Sequence, residues 1–337
     1  MPLISATDAW KNLTEMRDQI SGVPLSDLFD ADHARASNLA IDLGGLYVDF
    51  SRQRVSSEVL IALAALAEAA DAPGFIQKMA KGETVNLSED RAALHMQVRS
   101  TSAAGPDDDR LKGFVDGVRT GGTVSASGAP FTSVLAIGIG GSELGPALIL
   151  DALGDTHESG PEVRMCANID GTAFRRATDD LDPETTLVVV ISKSFRTMET
   201  QANAERAATW MQTAVGDDWA KNFCAVSANV EEAGKFGIAE DRVFAMLEGV
   251  GGRYSLWSAV GLPVALAFGW EVFAALRTGA AEMDAHALSA AVRENAPMML
   301  ALLTVWNASF MGYQAEACVP YDTRLGKLVD HLQQLEM

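Results

Sequence analysis

The sequence predicts an α/β fold: a doubly wound, five-stranded parallel sheet preceded by a helical N-terminal segment and followed by the start of a second α/β domain. Three observations carry that expectation. Short apolar runs of strand length recur at Ser133–Ile137, Val163–Ala167, Leu187–Ile191, Phe223–Val226 and Val243–Leu247. Helix-length segments separate them, which is the alternation of βαβ units whose parallel strands are buried on both faces. The chain ahead of this block carries helical spacing, and 337 residues suffice for roughly two domains.

The elements follow in order. Val59, Leu63 and Leu66 form an i, i+4, i+7 stripe, with Ser57 as the expected N-cap. Leu111, Phe114, Val115 and Val118 predict a second helix, begun by the acidic run Asp107–Asp109 and stopped by Gly121 and Gly122. After the strands, Pro297 to Trp306 is apolar on all sides and follows Asn295 as a cap, so it reads as a buried helix. Ala317 to Asp322 reads as a strand ending in a turn, and Thr323 to Met337 as a helix. The expected division is a helical region over 1–122, the sheet domain over 123–275, and a connection with the start of a second domain over 276–337.

Composition excludes several classes of function. With 48% hydrophobic and 21% charged residues the chain is globular, and it shows no repeat period. The N-terminus lacks the basic, apolar and small-residue succession of a secretory leader. The longest apolar run, SAVGLPVALAFGW, is broken by Gly261 and Pro263 and is too short to cross a bilayer. A cytoplasmic protein is expected. Cys166, Cys224 and Cys318 stand far apart, so neither a disulfide framework nor a thiolate metal site is indicated. His33, His95, His157, His286 and His331 show no ligand-like spacing and read as structural or solvated. A net charge of -19 argues against nucleic acid and anionic membranes as partners. Any anionic ligand must meet locally placed donors.

In open α/β sheets such donors lie just beyond the carboxyl ends of the strands. The first such segment holds Gly138, Gly140 and Gly141, then Ser142 where a helix should start, a place that favours an anion. The dinucleotide fingerprint requires a glycine at its sixth position, where this chain has Glu143, so a nicotinamide dehydrogenase is disfavoured. A glycine turn that only lets strand and helix pack stands as the alternative. The second segment clusters Ser192, Lys193, Ser194, Arg196 and Thr197 ahead of a helix, a donor set suited to a phosphate dianion. Each of these residues taken singly is more commonly solvated. In the third segment Gly249, Gly251 and Gly252 deliver Arg253, whose fixed donors suit an oxyanion or sugar oxygen. The alternative there is a surface ion pair.

The runs IGIGGSELGP, ISKSFRTMETQANA, VGGRYSLWSAVGLP and PYD...HLQQLEM closely resemble successive motifs of the glucose-6-phosphate isomerase (phosphoglucose isomerase) family. The likeness extends upstream to VDFSRQR and LSEDRAALHMQVRS, covering nearly the whole chain from about residue 45. The resemblance implies a sugar isomerase (SIS-type) domain that interconverts glucose 6-phosphate and fructose 6-phosphate through a cis-enediolate, with no metal or organic cofactor. It implies that Gly141 and Ser142 meet the sugar phosphate and that Ser192 to Thr197 form the phosphate loop. Arg253 would lie beside the enediolate and Gln334 would contact substrate. Within that loop Ser194 and Arg196 each stand where the family carries threonine. The family forms homodimers. Its base is the glutamate directly after Q-Q-x-x-M, one place past Met337, and its ring-opening histidine and lysine lie further on; Glu336 aligns two places before the base. The expectation is therefore a truncated chain, inactive alone. A non-catalytic sugar-phosphate-binding module is the other reading.

Overall fold

The computed structural model describes residues 3–100, 107–155 and 160–336. Strands form where β-branched and apolar runs too short for a helix are bounded by turn residues. In chain order they are β1 (Ala40–Asp42), β2 (Tyr47–Asp49), β3 (Thr84–Asn86), β4 (Arg91–Ala92), β5 (Ser133–Ile137), β6 (Glu162–Cys166), β7 (Thr186–Ile191), β8 (Phe223–Ser227) and β9 (Val243–Ala245). β1 and β2 pair antiparallel, β3 and β4 make a second small sheet, and the last five form one sheet in the order β6-β5-β7-β8-β9. All neighbours in that sheet are parallel, with Val134 of β5 aligned to Val163 of β6 on one side and Leu187 of β7 on the other. The chain leaves β5 sideways to β6, then crosses back to β7. The winding thus reverses between β5 and β7, and in open α/β sheets ligands bind beyond the carboxyl ends of the strands at such a point.

Side-chain alternation along the strands splits the core into two layers. One face presents Val134, Ala136, Leu187, Val189, Ile191, Cys224 and Phe244 to Leu111, Val115 and Val118 of helix Asp108–Thr120 and to the helix Leu262–Phe268. The other presents Leu135, Ile137, Val188, Val190, Phe223 and Ala225 to Ala204, Ala207, Ala208 and Met211 of helix Met198–Val215. The small alanines at i, i+3 and i+4 let that helix lie close on the sheet. Asp107 ties its neighbours together: its carboxylate takes a hydrogen bond from the Ala245 amide at 2.9 Å and pairs with Arg110 at 2.9 Å.

The chain divides into two compact units: 1–85 with 282–317, and 86–281 with 318–337. The first is built on helices Asp8–Ile20, Ser57–Ala69 and Ala296–Val305, around buried Leu13, Leu63, Leu66, Met299, Leu302 and Trp306. Buried Arg35 fastens the segment between β2 and the second of these helices, donating to the carbonyls of Ser51 at 2.8 Å and Gln53 at 2.7 Å. The Trp306 indole donates to the Arg54 carbonyl at 3.0 Å.

Residues 86–122 contribute a helix that covers the sheet, and helix Leu328–Glu336 packs on helix Leu144–Leu153. Several expectations are corrected. Ser56, not Ser57, caps the stripe helix; it is extended, and its Oγ accepts from the Val59 amide at 3.4 Å. The first hundred residues are not purely helical, since β1–β4 lie there. Ala317 to Asp322 forms no strand. A strand needs a neighbour to bond to, and no described strand pairs with this segment, whose Val319 and Tyr321 are exposed. Asn295, by contrast, caps its helix as read, its side chain accepting from the Met298 amide at 3.1 Å.

Candidate active site

The turn after β5 tightens because Gly140 takes φ +63°, a region that glycine enters without penalty. Residues Gly140–Ser142 then make a short 3-10 turn leading into helix Leu144–Leu153. That turn lies directly against the one after β9. A Cβ on Gly141 would fall 2.1 Å from the Gly252 carbonyl carbon and 2.6 Å from the Arg253 nitrogen, so only glycine fits. A Cβ on Gly140 would fall 2.7 Å from Nε2 of Gln334. Gly141, Ser142, Arg253 and Gln334, widely separated in the chain, therefore meet at one end of the sheet.

Ser192 to Thr197 follow the adjoining strand, β7. Ser192 is buried and its hydroxyl donates to Thr197 Oγ1 at 3.3 Å. Ser194 Oγ accepts from the Arg196 amide at 3.2 Å, and the Asn229 side chain donates to the Ser194 carbonyl at 3.3 Å. Phe195 turns the loop: it takes φ +55°, unusual for an aromatic residue, and buries its ring edge-on to Phe236. With that ring held inside, the flanking residues 194 and 196 are exposed.

The two cations of this loop are spoken for differently. The Lys193 ammonium donates to the carbonyls of Glu248 at 2.7 Å and Val250 at 3.3 Å, so it braces the loop that carries Arg253. Arg196 pairs with Glu232 at 3.2 Å. Arg253 itself is exposed and, among the described residues, has no ion-pair partner; its guanidinium lies 5.9 Å from the Tyr254 ring. The surface-ion-pair alternative thus has no counterpart in the structure.

Residues 91–95 supply a second brace that spacing alone did not reveal. The Leu94 amide donates to the Gly249 carbonyl at 2.9 Å, and Arg91 reaches the Glu248 carbonyl at 3.3 Å. His95 Nε2 accepts from the Gly251 amide at 3.3 Å and its ring lies 4.4 Å from that of Tyr254. Burial, aided by the Arg99 charge, lowers the His95 pKa, which favours the neutral ring that can accept this bond. The only sequence signal for these residues was their place in the run LSEDRAALHMQVRS.

On the other flank, Glu143 is partly buried beside the C-terminal helix. Burial raises its pKa, with Lys327 opposing and Asp330 reinforcing the effect. Gln334 Oε1 and His331 Nδ1 are buried on that helix without a hydrogen-bond partner. Cys166 and Cys224 are buried thiols pushed up to about 11 and about 12 by desolvation. Among the described residues no group of histidine, cysteine, aspartate and glutamate is placed to hold a metal ion; His157 lies outside them.

The arrangement is a parallel α/β domain in which the loops after β5, β7 and β9 lie at the carboxyl ends of their strands, beside the winding reversal between β5 and β7. Residues 49–337 match the family model for phosphoglucose isomerase, and the chain belongs to that family. It is 40% identical over 344 residues to a glucose-6-phosphate isomerase of Pseudoalteromonas translucida, covering 98% of this chain and 63% of that one. The cytosolic glucose-6-phosphate isomerase of Zea mays is also 40% identical, over 99% of this chain and 62% of its own. A glucose-6-phosphate isomerase structure from Chlamydia trachomatis superposes with a TM-score of 0.87 at 30% identity, covering 98% of this chain and 65% of that one. The chain thus spans less than two thirds of the length of these relatives.

Proposed function

We propose that this chain forms the phosphate-gripping and oxyanion-stabilising part of an enzyme that interconverts glucose 6-phosphate and fructose 6-phosphate. The observation that carries the proposal is the contact of Gly141 with the Gly252–Arg253 peptide, one strand away from the Ser192–Thr197 loop. In this reading the phosphate lies on the Ser192, Ser194 and Thr197 hydroxyls and the backbone amides at the start of helix Met198–Val215. Lys193 acts through the third loop, which it holds, and Gly141, Ser142 and Gln334 meet the sugar.

The chemistry follows from those positions. Ring opening exposes an aldehyde at C1, a carboxylate base removes the C2 proton, and the enediolate is reprotonated at C1. Arg253 stabilises the anionic oxygens, and grip on the distant phosphate fixes the reacting carbons. The proposal assigns the residues of this chain binding of the ester and stabilisation of its anionic oxygens. A homodimeric assembly and a cytoplasmic location belong to the same proposal and rest on the resemblance and on relatives such as the cytosolic maize enzyme. Among the described residues no single helix is long and apolar enough to cross a membrane.

Calorimetric titration tests the proposal. Glucose 6-phosphate should bind and glucose should not. Absence of glucose 6-phosphate binding overturns the site, and equal binding of glucose overturns the phosphate grip.

A further inference from the structure

Arg196 differs from every other donor of the second loop in how it is held. Lys193 serves two backbone carbonyls, that of Glu248, which Arg91 also reaches, and that of Val250, so its departure would weaken the hold on the loop that carries them. The Arg196 side chain is 69% exposed and makes one contact of 3.2 Å, to Glu232 Oε1. Glu232 does not depend on it, because the Lys235 ammonium lies 2.9 Å from the same oxygen. Lys235 and Arg196 together hold the Glu232 carboxyl below the usual carboxylate range. Removing Arg196 would leave Glu232 ionised, paired with Lys235 and in the first turn of helix Val230–Phe236.

Exposed ion pairs of this kind contribute little net stability, whereas a guanidinium can bond a phosphate dianion through two parallel hydrogen bonds. The exchange also suits the loop's construction. Phe195 is anchored in the core and the Arg196 amide is tied to Ser194 Oγ, so the backbone stays fixed while the long side chain swings. We infer that Arg196 is a specificity-determining cation that leaves Glu232 for the phosphate of the bound sugar ester, with Glu232 acting as the competing anion that parks it. This rests on the sugar-phosphate reading above and extends it. The site then selects a dianionic ester over a monoanionic or neutral sugar, in a protein whose net charge of -19 otherwise repels anions.

The test measures binding of inorganic phosphate and of glucose 6-phosphate to the full chain by calorimetry. Four proteins are compared: the native chain, Arg196→Thr, Glu232→Gln and the double variant. Thermal unfolding of each confirms that it is folded, and Arg196→Lys serves as the conservative variant. Arg196→Thr should weaken both ligands about five- to tenfold and flatten the salt dependence, while Arg196→Lys should recover part of the loss. Glu232→Gln should tighten binding about two- to threefold in the native background and change nothing when residue 196 is threonine. Equal affinity of the native chain and Arg196→Thr would overturn the inference, as would an unchanged effect of Glu232→Gln in the double variant. If the native chain binds neither ligand, the sugar-phosphate reading itself fails; native binding with an inert Arg196 defeats only this inference.

Discussion

The Lys193 ammonium lies 2.7 Å from the carbonyl oxygen of Glu248, which joins the loop after β7 to the loop after β9 through a side chain rather than through the sheet. Lys193→Met should loosen the Arg253 loop. The Val250 carbonyl loses its donor and the Glu248 carbonyl is left with Arg91, costing about 1–2 kcal/mol of stability. Affinity for glucose 6-phosphate should drop more than that stability change alone explains. Denaturant unfolding and calorimetry on one preparation check both parts.

Gly141 admits no side chain. Gly141→Ala places a Cβ against the Gly252–Arg253 peptide, whose backbone cannot yield as a flexible side chain would. Overpacking of this kind costs about 1–3 kcal/mol, and here it separates the two turns that form the site. The expected result is a lowered melting temperature with loss of glucose 6-phosphate binding. Gly22→Ala, where a Cβ meets nothing, should leave binding unchanged.

Arg35 anchors the other unit. Arg35→Met keeps the apolar stem but leaves the Ser51 and Gln53 carbonyls without their charged donor. A loss of about 2–3 kcal/mol is expected. Denaturant unfolding followed by tryptophan fluorescence should report it, since Trp306 is buried in the same core and bonded to the Arg54 carbonyl.

Acid should loosen the third loop through His95. Its folded pKa is depressed, so between that value and the unfolded value near 6.5 the unfolded chain binds more protons. Stability contributed by the neutral ring is therefore present above about pH 6.5 and is lost as pH falls toward the folded pKa. Protonation also removes the acceptor for the Gly251 amide. Melting temperatures from pH 7.5 to 5 should fall less steeply for His95→Gln than for the native chain; parallel curves would disprove the assignment.

Thiol reactivity should follow burial. Cys166 and Cys224 are buried with raised pKa values, whereas Cys318 is exposed. Brief alkylation of the native chain at pH 8 should modify Cys318 alone by peptide mass mapping, and unfolding should expose the other two.

The sheet was legible because its strands are continuous apolar runs with helices between them, and each predicted strand overlaps an observed one. β6 begins one residue earlier than read, at Glu162, whose side chain is an exposed edge-strand charge that no hydrophobicity pattern includes. β1 and β2 were invisible for another reason: three residues are too few to show a period of two. The strand expected at Ala317–Asp322 shows the reverse error, since composition reports a propensity for pairing but not the presence of a partner. Within the site, residue types pointed to the three loops, and the family motifs added Gln334. What the types could not convey was direction. Lys193 and Arg196 are both loop cations three residues apart, yet one braces a neighbouring backbone and the other faces a surface carboxylate.

The contact between the turns of Gly141 and Gly252 has a further consequence. Because main chain meets main chain there, the closest approach of the two turns is set by backbone atoms, with the Lys193, Arg91 and His95 side chains steadying one of them from behind. Under the proposed reading, substitutions at Ser142, Arg253 or Gln334 would retune which groups face the sugar while the approach of the two turns stays the same.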